Sequence, residues 1–195
     1  MLQHEVVARV MTDCQWSESH GAHQGYLGMG GLYFGIPYSL RAGRCVCLGS
    51  GGGFVPRLMV EAQRALGVDV DVTLIDAGDG GTSGEVPRWQ EYFFREYPEV
   101  RLIEALTSEA VDQVDGITYL HVDADHSYEH VTEDLELYVP KMTGEWAITV
   151  HDTWQSVARC ESWRACVDFT GLTGLGLVNF PIGCGTALIA PRRGK

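Results

Sequence analysis

Apolar residues recur along the chain with two different periods. Leu2, Val6, Val7, Val10 and Met11 fall at helical spacing, which predicts a short amphipathic helix within Met1 to Cys14. The glycine- and aromatic-rich stretch from Gln15 to Gly43 keeps neither period and reads as an irregular arm or lid. From Arg44 onward, short apolar runs alternate with amphipathic ones. "CVCL" predicts a strand and Phe54 to Leu66 a helix, with Pro56 tolerated in its first turn; "DVTLID" predicts a strand and Pro87 to Tyr97 a helix. "EVRLIEAL" is a third strand, followed by a short helix near Glu109 to Gln113 that Thr107 or Ser108 would cap. "GITYLHVD" and, after a Thr143-Gly144 turn, "EWAITVHD" are the fourth and fifth strands, with helices over Ser127 to Val139 and Gln155 to Phe169. The tail "LGLVNFPIGCGTALIA" reads as two strands joined by a turn through Pro181 and Gly183 to Gly185.

Strands alternating with helices of this length predict an α/β fold: a Rossmann-like, doubly wound, mostly parallel sheet ending in an antiparallel hairpin. At 195 residues the chain suits a single domain, divided into an N-terminal helix and arm (1–43) and a core (44–195). With 14 Lys and Arg against 26 Asp and Glu, the formal charge is −12, so the surface as a whole repels nucleic acid and anionic membranes. The N-terminal residues lack a basic segment followed by a long apolar one, and no run of about 18 apolar residues occurs, so the expectation is a soluble, cytoplasmic protein. The six cysteines are too scattered for a disulfide framework: Cys45 and Cys47 share a strand face, and Cys160 and Cys166 fall on one predicted helix.

The candidate chemistry begins in "RCVCLGSGGGFVPRLMVEAQRAL". Gly49, Gly51 and Gly53 stand where a strand hands over to a helix, a place where the lack of Cβ lets a ligand touch backbone. The next strand ends in Asp76, and 76 − 53 gives 23 residues, near the spacing of about 20 at which a carboxylate meets ribose hydroxyls in a nucleotide-type unit. The turn continues Gly53-Phe54-Val55-Pro56 without the third glycine that dinucleotides want, which favours an adenosyl ligand without phosphates. "HVDADHSYEH" and "HDT" then place Asp123 and Asp152 at the ends of neighbouring strands, where two facing carboxylates could share a divalent cation. His121, His126 and His151 lie beside that place and would suit Zn²⁺ better than Mg²⁺. Helix capping competes as a role for these strand-end residues, with Asp125 or Ser127 as the cap. His4, His20 and His23 read as surface or lid residues. Tyr26, Tyr33, Phe34 and Tyr38 could close over an acceptor, and Trp154 could line its pocket.

"VCLGSGGGF" with Asp76 resembles the class I S-adenosylmethionine-dependent methyltransferases. "YLHVDADHSYEHVTEDLELYVPKMTGEWAITVHDT" is similar to the metal-dependent O-methyltransferases of the macrocin and mycinamicin type and to cephalosporin hydroxylase-like proteins, over about Arg44 to Thr153. The resemblance implies S-adenosyl-L-methionine held by Gly49, Ser50, Gly51, Gly53, Asp76, Ala77 and Asp123, with adenine against the loop at about Leu106 to Ser108. It implies Mg²⁺ or another divalent cation on Asp123, Asp152 and His151, where His151 replaces an acid of those enzymes, and His126 as the base. The implied function is methyl transfer to a hydroxyl of a small molecule, such as a sugar, a catechol-like ring or a natural product, in a protein that could form a homo-oligomer. An NAD(P)-type oxidoreductase and a non-catalytic module of the same fold remain as alternatives.

Overall fold

The computed structural model describes residues 4–23, 25–49, 52–77, 88–154 and 160–192. Uniformly apolar runs become strands covered on both faces: β1 (Cys45–Leu48) is buried at all four positions, and β2 (Val72–Asp76) at its first four. β3 (Arg101–Glu104), β4 (Ile117–Val122), β5 (Met142–His151), β6 (Gly176–Phe180) and β7 (Thr186–Ala190) complete one sheet of order β3-β2-β1-β4-β5-β7-β6. The first five strands run parallel, and β7 runs antiparallel to both its neighbours. The hairpin predicted for the tail is present, but its second strand lies inside the sheet. β7 buries Ala187 and Ile189 completely, whereas β6 leaves Val178 53% exposed, so the more apolar strand takes the inner place and β6 becomes the edge.

Helices cover both faces. On one side α1 (His4–Met11), α2 (Gly30–Leu40), α3 (Phe54–Leu66) and α4 (Arg88–Glu96) enclose a cluster that includes Val10, Tyr33, Cys47, Phe54, Leu58, Phe93 and Tyr119. On the other, α5 (Thr107–Ala110), α6 (Tyr128–Tyr138) and α7 (Ser162–Thr173) pack Ala110, Val131, Leu135 and Ala165 against Val46, Leu48, Leu120 and Ile148. The alternation of Cys45 and Cys47 with Val46 and Leu48 thus divides β1 between two cores, as a strand's two-residue period requires.

Three local expectations change. The stretch read as irregular contains α2, whose buried Gly30, Tyr33 and Pro37 lie three and seven residues apart on one face; apolar neighbours all round conceal that period. The N-cap of α5 is Leu106 without a side-chain cap, so neither Thr107 nor Ser108 serves. Ser127 does cap α6, accepting from the His130 amide, while Asp125 accepts from the Ser127 amide at 2.7 Å. Among the described residues α7 begins at Ser162, leaving Cys160 before the helix rather than on it. All six cysteines are free thiols. No helix among the described residues is long and apolar enough to cross a membrane.

Candidate active site

The parallel register draws the strand ends into one rank. Leu48 pairs with Ile75 on one side and with Val122 on the other, and Val122 pairs with Val150. One step further along each strand come Asp76, Gly49, Asp123 and His151, and His151 in turn pairs with Thr186. Two residues back, on the same face of the sheet, stand His121 and its register partner Thr149. This is the carboxyl edge of the parallel strands, where open α/β sheets bind ligands.

Asp123 is the centre of the rank, its side chain only 9% exposed. His151 Nδ1 lies 3.0 Å from its Oδ1, His126 Nε2 3.4 Å from the same oxygen, and His121 Nε2 and His20 Nε2 3.6 and 3.8 Å from Oδ2. Burial alone would hold the acid neutral, but the charge of His151, its hydrogen bond at 3.0 Å and the other imidazoles gathered around the carboxylate outweigh it and keep the carboxyl well below the usual range. The imidazoles divide accordingly. His151 is buried, yet Asp123, and beyond it Asp152, raise its value above that of an ordinary histidine. His121 is lowered by burial, which the Asp123 carboxylate 3.6 Å from its Nε2 only partly offsets. His20 is lowered well below the ordinary value by burial, reinforced by the charge of His151.

Asp152 forms the outer half of the site. It stands at φ 54°, a left-handed conformation that turns the chain away at the end of β5. Its Oδ2 lies 3.0 Å from His126 Nδ1, so the His126 ring spans the two carboxylates. Burial opposes the His126 cation, but Asp123 and then Asp152 outweigh it, and the imidazole is raised above its ordinary value. Cys160 joins His126 and Asp152 in a group whose ligand atoms lie within 4.8 Å of one another. Burial raises the Cys160 thiol to about 11, which keeps it protonated at neutral pH.

The glycine turn is less fully described, because Ser50 and Gly51 lie outside the described residues. At Gly49, φ 79°, a Cβ would collide with the carbonyl of Asp123; at Gly52, φ 90°, it would collide with that of Gln15. Both glycines therefore let one backbone lie against another, bringing the arm onto the turn and β4 onto β1. Gly53 is the N-cap of α3 in the left-handed region. Asp76 is half-buried, Ala77 after it is exposed, and Leu106 stands exposed at the start of α5.

Of the residues singled out from the sequence, Asp123, His126, His151 and Asp152 come together, with Gly49 beside Asp123 and Asp76 further along the same edge. His4 and His23 are exposed, in keeping with a surface reading, but His20 is not. Its ring is buried, stacked on Phe54 and 3.9 Å from the ring of His151. Tyr33 is likewise no lid: it is fully buried, with its hydroxyl 2.6 Å from Thr186 Oγ1 and 3.2 Å from His20 Nδ1. The two-residue spacing from His121 to Asp123 puts both on one strand face, a signal present in the sequence; nothing local marks His20, which arrives through the tertiary fold.

The profile of the Methyltransferase domain family matches residues 46–153, from β1 through the carboxyl edge of β5. An uncharacterised protein of Sinorhizobium fredii is 27% identical over 176 residues, covering 80% of this chain and 19% of that protein, so the chain spans about a fifth of this curated relative's length. The S-adenosylhomocysteine-bound methyltransferase PaMTH1 of Podospora anserina superposes with a TM-score of 0.66 at 13% identity, over 98% of this chain and 89% of that one. The O-methyltransferase of Bacillus cereus in complex with S-adenosylhomocysteine gives 0.62 at 10% identity, over 95% and 89%. The O-methyltransferase NovP gives 0.66 at 14% identity, over 97% and 98%. At these identities the structures establish a shared fold.

Proposed function

The chain belongs to the family of S-adenosylmethionine-dependent methyltransferase domains, and we propose that it methylates a hydroxyl group of a small molecule such as a sugar, a catechol-like ring or a natural product. The observation that carries this reading is the single rank of Asp76, Gly49, Asp123 and His151 at the carboxyl edge, with His126 spanning the two carboxylates beyond it. In this reading the glycine turn holds the methionine part of the cofactor and Asp76 accepts hydrogen bonds from its ribose, with Ser50, Gly51, Gly53 and Ala77 completing the cofactor contacts. A hydroxyl acceptor sits next to Asp123.

His126 takes the acceptor's proton. With Asp152 Oδ2 3.0 Å from Nδ1 and Asp123 Oδ1 at a longer 3.4 Å from Nε2, the neutral ring in this reading keeps its proton on Nδ1 and uses Nε2 as the basic atom. The acceptor oxygen forms its bond to the methyl carbon as the carbon–sulfur bond breaks, and the hydroxyl proton passes to Nε2. The products are a methyl ether, S-adenosylhomocysteine and a His126 imidazolium, whose charge Asp123 and Asp152 compensate. The same edge fits a divalent cation, because Asp123, His151 and Asp152 converge there beside neutral imidazoles. A cation held by these residues would supply Lewis acidity, each pKa unit removed from the acceptor being worth about 1.4 kcal/mol.

Formation of S-adenosylhomocysteine from S-adenosylmethionine, measured against a panel of catechols, sugars and hydroxylated natural products, tests this function. Acceptor-dependent turnover is the expected result. Tight cofactor binding without turnover on any acceptor would instead identify a non-catalytic module.

A further inference from the structure

We propose that His20 of the N-terminal arm, together with His121, His151 and Asp123, forms a nitrogen-rich site for a borderline transition metal of the Zn²⁺ class. This inference extends the cation-assisted reading of the same edge, but its ligands and its test do not depend on methyl transfer.

The first observation is convergence. His20, Asp123 and His151 each offer a ligand atom within 4.8 Å of the others, and His121 Nε2 lies 3.6 Å from Asp123 Oδ2. Ligand atoms around a four-coordinate Zn²⁺ at about 2.0–2.1 Å are roughly 3.4 Å apart. His151 Nδ1 lies 3.0 Å from Asp123 Oδ1, and His121 Nε2 and His20 Nε2 lie 3.6 and 3.8 Å from Oδ2. The two carboxylate oxygens thus face the three imidazoles at distances near that value, with His121 outside the group of His20, Asp123 and His151 whose ligand atoms all lie within 4.8 Å of one another.

The second observation is an unpartnered atom. His121 is fully buried, and its Nε2 has no hydrogen-bond partner although it is aimed at the Asp123 carboxylate. Leaving such an atom unsatisfied is costly, and a cation between it and the carboxylate would remove the cost.

The third is the outer shell. Each imidazole turns one nitrogen toward Asp123 and has the other engaged: His20 Nδ1 with the Tyr33 hydroxyl at 3.2 Å, His121 Nδ1 with Thr149 Oγ1 at 2.8 Å, and His151 Nε2 with the Ser19 carbonyl at 3.4 Å. That is how metal-binding histidines are oriented. Tyr33 and Thr149 are themselves anchored, by Thr186 at 2.6 Å and by the Tyr119 hydroxyl at 2.8 Å. His20 is also held through the backbone, its carbonyl accepting from the Met29 amide and that of Ser19 from the Cys184 amide. Three imidazoles with one carboxylate suit Zn²⁺, Co²⁺ or Fe²⁺, whereas Mg²⁺ prefers oxygen.

The test uses the purified chain, stripped with chelator and titrated by calorimetry with Zn²⁺ and with Mg²⁺, and with Co²⁺ followed by its visible absorption. One equivalent of Zn²⁺ should bind at least ~100-fold more tightly than Mg²⁺, and Co²⁺ should give the intense spectrum of a four-coordinate site. His20→Asn should abolish that spectrum and weaken Zn²⁺, while Tyr33→Phe, which keeps the packing, should weaken Zn²⁺ by roughly 10–100-fold as an outer-shell loss. Thermal unfolding confirms that each variant is folded. Absence of Zn²⁺ and Co²⁺ binding, or binding unchanged in both folded variants, overturns the proposal. Chelator-sensitive, Mg²⁺-dependent turnover in a protein that ignores Zn²⁺ would overturn this site and leave the methyltransferase reading standing; Zn²⁺ binding without turnover would do the reverse.

Discussion

His126 is placed to be switched by the two acids it spans. Its raised value means that the ring is a cation below that value and a base above it, so turnover should rise with pH through a pKa higher than the ordinary histidine value of about 6.5. His126→Gln should remove that limb from the pH–rate profile and lower kcat by roughly 10²–10⁴. Asp152→Asn withdraws one of the charges that favour the cation, and should move the limb toward lower pH. A profile whose limb survives in His126→Gln would assign the proton to another group. At this scale the sequence was informative wherever residues share a strand end: Asp123 and His126 are close along the chain, and His151 and Asp152 close the neighbouring strand. His20 was illegible because it is 103 residues from Asp123 along the chain (123 − 20) and belongs to a short turn with no periodic signature. Its burial depends on Phe54 and Tyr33 closing around it.

The element that decides whether the arm stays docked is α3. Its Arg57 is fully buried and donates through Nη1 to the carbonyls of Val10 at 2.7 Å and Thr12 at 2.6 Å, just where α1 ends. Those carbonyls have no helical amide to accept from, so the guanidinium serves as a cap supplied by another helix. The rings of Tyr92 and Phe93 lie under it at 5.4 and 5.7 Å. Arg57→Leu should therefore destabilise the protein by roughly 1.5–3 kcal/mol, the range for hydrogen bonds to a charged group. Amide exchange should quicken across 8–20 before the sheet is affected, since His20 follows this segment into the site. Uniform exchange over the whole chain in the variant would deny the arm its separate anchor. The amphipathic periods of α1 and α3 were readable because each presents one apolar face; α2 was not, being apolar on nearly every side. A buried arginine in a helix likewise looks like a solvated one until the neighbouring chain end is seen.

Across the whole molecule the alternation of strands and helices implied the parallel sheet and its carboxyl edge, because each strand-helix unit is local. Strand order is not local. The insertion of β7 between β5 and β6 depends on which strand has more apolar surface to bury, and a hairpin read from the tail carries no information about its neighbours in the sheet. The order that results leaves Asp76, Gly49, Asp123 and His151 in one rank, with Thr186 from β7 closing it against Tyr33. Calorimetric titration of S-adenosylhomocysteine into the wild-type chain and Asp76→Ala, with NADH as the competing ligand, tests this arrangement most directly. One equivalent of S-adenosylhomocysteine should bind, with an affinity lower by about 1.5–3 kcal/mol in Asp76→Ala, and NADH should not bind. Unchanged affinity in that variant, or NADH binding in place of S-adenosylhomocysteine, would contradict the arrangement.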